Sequence, residues 1–235
     1  YSGLDNGLTN MLRWVVYNDN CADSIEISIT NNGFSVNAGA DISDLCVDSV
    51  QMNADPATPG TGYWEVVFGS GTFNDSTDPL TWVYGLGQGN NQFRWNVSKN
   101  GCSNFGLVNV ENNTPTEARI IGPINTETCD GTITLTADNP SPFYGDTYYW
   151  TQISGGGTFG TNTDFTLNVT NLDPGNNMFV WTIENGSCED GDTITIVNNQ
   201  VVSIPGSNQT ICEDNTFLNA TDPSIVWPNQ GTGYW

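Results

Sequence analysis

The chain repeats itself, and this internal repetition limits the folds open to it more than any other feature. Trp14, Trp95 and Trp181 each close a short motif that has an aromatic or leucine residue two positions earlier. The first two tryptophans are 81 residues apart, and the last two are 86 apart. A glycine-rich motif at Gly69–Phe73 also recurs, at Gly155–Phe159. Repetition at a fixed period is typical of tandem arrays that use one structural unit several times.

Pairs of adjacent asparagines mark the joins between the repeats, at 31–32, 112–113 and 198–199. The repeats predict four parts: the C-terminal part of one repeat at 1–33, complete repeats at 34–112 and 113–198, and the N-terminal part of a further repeat at 199–235. Because the chain begins and stops in mid-repeat, we expect it to be a segment of a longer array.

Within each repeat the hydrophobic pattern predicts short antiparallel strands. Phe93, Trp95 and Val97 alternate with polar residues, and turn clusters such as Asp173-Pro174-Gly175 separate such runs. About 80 residues in roughly seven short strands is the size of an immunoglobulin-like sandwich. The predicted fold class is all-β, with tandem immunoglobulin-like β-sandwich domains stacked end to end.

The charge balance excludes several classes of function. The chain carries 26 Asp and Glu against 4 Lys and Arg, a net charge of −22, and has no His. So few cations cannot neutralise a nucleic-acid backbone, and an anionic membrane surface would repel the chain. Catalysis and metal binding through histidine cannot be built. Six cysteines indicate an oxidising, extracellular compartment.

A set of motifs repeated in one order resembles a known family. Asn37–Asp41 followed by a strand ending at Ala54, and the later Tyr148–Gln152, resemble the polycystic kidney disease (PKD) domain. The order of glycine and tryptophan motifs is similar to the PKD-like repeats of giant cell-surface proteins of Bacteroidetes, including gliding-motility adhesins. These motifs are Gly60–Trp64, Gly69–Phe73, Gly85-Leu86 and Asn91–Trp95.

The resemblance implies a β-sandwich, export by type IX secretion and a role at the cell surface. It implies neither enzymatic activity nor a required cofactor. PKD domains also stand beside catalytic domains in secreted chitinases and proteases, so the fold alone does not fix the role.

The cysteines fall at two positions of the repeat. One precedes the second strand (Cys46, Cys129, Cys212) and the other follows the sixth (Cys21, Cys102, Cys188). In a seven-strand sandwich these positions lie at opposite poles, too far apart for a disulfide. We therefore predict Cys46–Cys188 across the domain junction, with Cys21, Cys102, Cys129 and Cys212 paired with repeats outside the segment. Pairing inside each domain (Cys46–Cys102 and Cys129–Cys188) and free or intermolecular thiols remain alternatives.

The same stacked arrangement would gather five carboxylates at the predicted junction: Asp44, Asp48, Glu189, Asp190 and Asp192. Converging carboxylates favour a Ca²⁺ ion, which prefers hard oxygen ligands. The alternative is a solvated acidic surface that keeps the protein in solution.

Asp-Ser or Asp-Thr followed by an aliphatic residue occurs at Ser24, Ser49 and Thr193. This pattern resembles the O-glycosylation signal of secreted Bacteroidetes proteins. Ser24 and Thr193 are expected to occupy equivalent places in two repeats, which repetition alone would also produce.

The repeated tryptophans are expected to pack in the core, whereas Trp82 differs. Aligning the repeats places Val83 inward, so Trp82 and Tyr84 face outward and can stack on sugar rings. The alternative is that a neighbouring loop covers them. Arg13 and Arg94 share one repeat position and are expected to pair with a carboxylate or to lie along the strand face.

Two functions from different classes follow. The first is a structural stalk or filament segment of a long extracellular adhesin, whose partners are neighbouring repeats and like chains. The second is a set of carbohydrate-binding accessory repeats in a secreted polysaccharide-degrading protein. Neither function requires nucleic-acid binding, membrane insertion or catalysis by this segment.

Overall fold

The structure, a computed structural model, describes residues 2–140, 145–222 and 231–234. Within these residues all of the regular structure is β-strand, which confirms the predicted all-β class. No helix in this part of the chain is long and apolar enough to cross a membrane. Trp235, which closes the last aromatic motif, lies outside the described residues.

The chain divides into two compact units, Tyr1–Thr114 and Pro115–Trp235. The first unit opens with a hairpin of β1 (Thr9–Asn18) and β2 (Cys21–Thr30), paired along their whole length. The hairpin repeats the register of the later long strand pairs, since Trp14 faces Ile25 just as Trp95 faces Gly106. Trp14 is 71% exposed, whereas its counterpart in the complete repeat is buried.

A seven-strand sandwich completes the first unit. Its strands are β3 (Ile42–Leu45), β4 (Ser49–Gln51), β5 (Thr61–Phe68), β6 (Thr72–Phe73), β7 (Trp82–Tyr84), β8 (Gly89–Lys99) and β9 (Cys102–Asn112). One sheet has the order β3-β9-β8-β5 and the other β4-β7-β6. The short β3 runs parallel to β9, and the remaining neighbours are antiparallel.

The second unit builds the same sandwich with a slightly different set of strands. They are β10 (Ile120–Gly122), β11 (Glu127–Thr128), β12 (Ile133–Ala137), β13 (Thr147–Ser154), β14 (Thr166–Val169), β15 (Gly175–Asn185) and β16 (Cys188–Asn198). The sheets are β11-β16-β15-β13 and β10-β12-β14. A single bridge between Thr158 and Thr170 stands where the first unit pairs β6 with β7.

Each sandwich has its own core, built from alternating residues of the two sheets. Trp64 and Trp95 pack with ring centroids 5.2 Å apart in the first core, and Trp150 and Trp181 lie 5.1 Å apart in the second. All four are buried, as predicted. Burying aromatic rings of this size supplies much of the stability of a domain this small.

Buried asparagines connect strands that the sheets leave apart. Asn91 accepts the Ser70 N–H at 2.9 Å and donates to the carbonyls of Gly87 and Gly89. Asn177 repeats this in the second unit, accepting the Gly156 N–H at 2.9 Å. Each side chain thus satisfies several backbone groups that would otherwise be buried without a partner.

Candidate functional site

Two of the six cysteines, Cys46 and Cys188, are disulfide-bonded in the structure. Cys46 follows β3 and Cys188 is the first residue of β16, where its side chain is buried. The other four cysteines (Cys21, Cys102, Cys129 and Cys212) are free thiols. The alternative pairing inside each domain is therefore not formed, because Cys102 and Cys129, which it requires, are both free.

The strand register explains why the first unit cannot form the in-domain bond. Leu45, just before Cys46, pairs with Asn112 at the end of β9, whereas Cys102 begins β9. At about 3.3 Å per residue along the strand, the two cysteines are about 30 Å apart. A disulfide needs Cα atoms within about 7 Å.

The second unit repeats this separation. Thr128, just before Cys129, pairs with Asn198 at the end of β16, and Cys188 lies at the opposite end of that strand. The cysteines of each repeat therefore lie at opposite poles, as the sequence analysis expected.

The acidic residues predicted to hold Ca²⁺ at the junction take part in hydrogen bonds inside each unit. Asp190 accepts the Ala118 N–H at 2.7 Å, and Asp192 accepts the Ile120 N–H at 2.8 Å. These two carboxylates therefore hold the segment that enters β10 against the edge of the sheet.

In the first unit Asp44 accepts the Asn113 side-chain amide at 3.2 Å. Asp48 accepts the Leu86 N–H through its backbone carbonyl at 2.9 Å. Glu189 opens β16 beside Cys188 with its side chain exposed. Among the described residues, no group of three or more His, Cys, Asp or Glu is arranged to hold a metal ion.

The expectation that Ser24 and Thr193 are equivalent is wrong. Ser24 faces Val15, one position after the repeated tryptophan, whereas Thr193 faces Val180, one position before it. The two side chains therefore lie two positions apart in the repeat register, on the same face of the strand pair, because residues two apart along a strand share a face.

The three hydroxyls predicted as modification sites have different surroundings. The Ser24 hydroxyl accepts two hydrogen bonds from the Arg13 guanidinium, at 2.9 and 2.7 Å. Ser49 is half-buried and faces Tyr84 across the sheet, and Thr193 is exposed on β16. Modification at these positions stays a prediction.

Trp82 and Tyr84 lie on the outer face of the sheet β4-β7-β6, and their predicted orientation is confirmed. Their side chains are 44% and 50% exposed, whereas Val83 between them is fully buried. The two rings are near-parallel at 20°, with centroids 6.2 Å apart. They therefore present a paired aromatic surface to solvent.

The residues beside the aromatic pair are small, polar and uncharged. Gln51 faces Trp82 across the strands, and Tyr84 is flanked by Ser49 on one side and Thr72 on the other. Gln51 donates its amide N–H to the Leu80 carbonyl at 3.1 Å, which fixes the amide beside the aromatic row. We call the five outward residues of this sheet (Ser49, Gln51, Thr72, Trp82 and Tyr84) the aromatic face.

The second unit has a polar surface at the equivalent place. Asn168 and Thr170 stand where the first unit has Trp82 and Tyr84. The Thr134 hydroxyl donates to the side-chain amide oxygen of Asn168 at 2.7 Å, and the Thr170 hydroxyl donates to the Thr158 backbone carbonyl at 3.2 Å. The sandwich therefore forms without aromatic residues at these positions.

The opposite sheet of the first unit carries the predicted ion pair. Arg94 binds Glu65 at 2.6 Å and lies over the Phe105 ring at 5.2 Å from its centroid. The hydrogen bond from Arg94 lowers the pKa of the Glu65 carboxyl. Arg13, at the equivalent place in the hairpin, instead donates to Ser24.

The sequence analysis missed the buried asparagines, whose side chains hydrogen-bond to the backbone of neighbouring loops. A polar residue inside an alternating strand is normally assigned to the solvent face. The signal was the identical spacing of Asn91 to Trp95 and Asn177 to Trp181, together with Asn10 before Trp14. Repetition of one polar residue at a core position indicates a structural role.

Several solved structures are similar to this chain. Extracellular domains 3–5 of Drosophila OTK share 13% identity at a TM-score of 0.39, covering 75% of this chain and 66% of that one. The fibronectin(III)-like modules of Clostridium thermocellum CbhA share 12% at 0.31, covering 71% and 94%. A tandem of titin Ig domains shares 10% at 0.30, covering 71% and 96%. No family model matches the chain, and no curated protein matches it.

Proposed function

We propose that the chain is a structural segment of a long extracellular adhesin, in which tandem immunoglobulin-like sandwiches act as a spacer. The observation that carries this proposal is the repetition of one sandwich in both units. The same tryptophan pair and the same buried asparagine occur in each. Repeated domains of this kind extend a protein by adding length at each copy.

The proposal includes a disulfide between Cys46 and Cys188 that joins successive repeats. Both residues are disulfide-bonded, and the other four cysteines are free thiols. Because each repeat has one cysteine at either pole, a continuing array would offer Cys102 and Cys129 to the repeats on either side. Such bonds form and persist outside the cell, which supports an extracellular location.

The resemblance to PKD-like repeats of Bacteroidetes surface proteins supports attachment to the cell surface, export by type IX secretion and a role in adhesion or gliding. The acidic surface supports a spacer as well, because like charges keep neighbouring chains from collapsing onto one another. The segment acts through its geometry and is not an enzyme.

Peptide mass spectrometry of the non-reduced 235-residue chain tests the proposal. We expect one cross-linked peptide pair containing Cys46 and Cys188, and alkylated thiols at Cys21, Cys102, Cys129 and Cys212. Small-angle X-ray scattering should then show a larger maximum dimension and a broader distance distribution when both bonded cysteines are replaced by serine. Cys102→Ser is the matched control and should change neither result. A Cys46–Cys102 peptide would overturn the proposed linkage.

A further inference from the structure

We propose that the aromatic face of the first unit binds a neutral polysaccharide, a function that goes beyond the spacer role. The two aromatic rings are exposed and near-parallel on β7, the central strand of its sheet. Aromatic rings of this kind stack on the apolar C–H surface of a sugar ring.

The fold does not need these two aromatic residues. The second unit uses Asn168 and Thr170 at the same positions and satisfies them with neighbouring polar groups. Exposed apolar surface gains nothing in solvent, so a paired aromatic surface that packing does not require indicates an interaction site. The inward residue Val83, by contrast, has a core counterpart in Val169.

The chemistry of the aromatic face matches a neutral glycan. Ser49, Gln51 and Thr72 supply hydroxyl and amide groups at the edges of the rings, where sugar hydroxyls would lie. None of the five residues is charged. The exposed carboxylates of the adjoining turn are engaged within that turn: Asp75 accepts the Thr77 hydroxyl and Asp78 accepts the Leu80 N–H.

The charge of the whole chain excludes an anionic polymer as the ligand. With a net charge of −22 and only four Lys and Arg, the protein repels acidic polysaccharides. Arg94, on the other sheet of this unit, is already paired with Glu65. A neutral chain of sugars has no such repulsion to overcome.

A second copy of this chain fits the aromatic face less well. Two aromatic side chains and three small polar ones cover far less than the roughly 1,200 Å² that a stable protein interface buries. Each copy also carries the same large negative charge. A linear glycan, in contrast, needs only a short row of stacking positions.

Affinity electrophoresis of the 235-residue chain tests the proposal. The gels contain xylan, mixed-linkage β-glucan or galactomannan as neutral probes, and alginate or polygalacturonate as acidic ones. We expect retardation by at least one neutral polysaccharide and by neither acidic one. The double variant W82N/Y84T, which installs the residues of the second unit, should lose at least about tenfold in affinity.

A graft onto the second unit is the matched gain-of-function variant. N168W/T170Y should increase retardation by the same polysaccharide, because it creates a second aromatic face. If W82N/Y84T lowers the unfolding midpoint, the graft alone decides the outcome. Retardation by no neutral polysaccharide, retardation that W82N/Y84T retains, or a graft without effect would each overturn the proposal.

Sedimentation velocity of the wild type tests whether a second copy of the chain binds the aromatic face instead. A concentration-dependent dimer that W82N/Y84T abolishes would assign the aromatic face to a second copy and overturn the glycan proposal. These results are independent of the disulfide map, so failure here leaves the spacer function standing.

Discussion

Single asparagine side chains connect the long strands to neighbouring loops through hydrogen bonds to the loop backbone. Asn91 links Ser70 to the turn before β8 and also reaches the Val110 carbonyl of β9 at 3.4 Å. Asn112, in β9, donates to the Leu86 carbonyl at 3.1 Å. A leucine in place of Asn91 would fit the alternation of the strand, but it would leave these backbone groups unpaired.

Asn91→Ala should destabilise the first unit by about 2–4 kcal/mol, because the Ser70 N–H and three backbone carbonyls (Gly87, Gly89 and Val110) lose a partner. Urea unfolding followed by tryptophan fluorescence measures the loss. Asn177→Ala should produce a similar loss in the second unit. The matched control is Asn90→Ala, an exposed neighbour, and an equal loss there would contradict the assigned role.

Carboxylates in the turns make stability depend on pH. Hydrogen bonds from the Thr128 and Thr132 hydroxyls and the Thr132 N–H lower the pKa of Asp130 below its ordinary value of 3.8. A carboxyl with a lowered pKa in the folded state stabilises the fold fully above its unfolded pKa. That contribution is lost as the pH falls through the folded pKa.

The difference in unfolding free energy between wild type and Asp130→Asn should therefore shrink as the pH falls from about 5 to about 2. Thermal unfolding at each pH measures it. Comparing the two proteins removes the opposing effect of fewer negative charges at low pH. Asp5→Asn, in the N-terminal segment, is the charge-matched control, and a difference that grows toward low pH would contradict the prediction.

At the residue scale the sequence predicted apolar positions better than polar ones. Trp95 and Val83 followed from alternation, because burial of apolar side chains depends mainly on the strand period. Asn91 did not, because its partners lie in other parts of the chain. Ser24 and Thr193 were matched wrongly because the sequence does not reveal the exact strand register, which places them two positions apart.

At the scale of elements, the two sandwiches share long strands and differ at their edges. The long pairs β8–β9 and β15–β16 keep one register throughout. The three-stranded sheets differ at their edges: β6 is an edge strand of the first unit, and β10 is an edge strand of the sheet β10-β12-β14 in the second. Apart from β5 and β13, which have eight residues each, the edge strands have two to four residues, which limits pairing with other chains.

The turn that precedes β3 has counterparts in two later parts of the chain. Gly39 has a φ of +96°, and Gly206 has a φ of +86° at the equivalent place. A Cβ on Gly39 would lie 2.8 Å from the Asn53 carbonyl oxygen, and on Gly206 it would lie 2.7 Å from that of Asn219. The Asp55 N–H donates to the Asn37 carbonyl in this turn, and the Asp138 N–H donates to the Arg119 carbonyl at the corresponding place in the second unit.

Gly39→Ala should destabilise the first unit by at least about 2 kcal/mol, through the left-handed backbone and the overlap with Asn53. Gly85→Ala separates the two causes, because Gly85 has a φ of +69° with no atom within 4 Å of an added Cβ. It should cost about 1 kcal/mol. Denaturant unfolding of both variants measures the difference, and equal losses would show that the close contact is irrelevant.

Strand count was predictable at the element scale, and strand edges were not. Seven strands in each sandwich match the prediction, whereas β3 and β11 run parallel to their neighbours and not antiparallel. Whether a two-residue segment such as Thr72–Phe73 pairs as a strand or as the single bridge at Thr158 depends on one or two hydrogen bonds. Alternation over so few residues carries little information.

At the scale of the whole molecule, charge dominates. Repulsion within a chain of net charge −22 destabilises the folded state. Salt weakens this repulsion, because charges more than about 10 Å apart are largely screened at 0.1 M. The unfolding midpoint at pH 7 should therefore rise by several degrees between about 20 and 500 mM sodium chloride, as measured by differential scanning calorimetry. A midpoint that falls or stays constant would contradict this.

Calcium chloride at matched ionic strength separates screening from binding. Screening alone predicts the same midpoint for both salts at equal ionic strength, apart from small effects of ion valence. A further rise of several degrees with calcium would indicate specific binding, for which the five carboxylates of the sequence prediction are the first residues to mutate.

The position of the bonded cysteines has a consequence for how such a chain would carry tension. If Cys46 and Cys188 are joined as we propose, a pull on the two ends enters at the end of β3 and leaves at the start of β16. The chain between the two cysteines, which contains every strand from β4 to β15, then lies in a closed loop outside the path of the force. The loop corresponds to about 500 Å of fully extended chain. That length can be extended only after the disulfide is reduced.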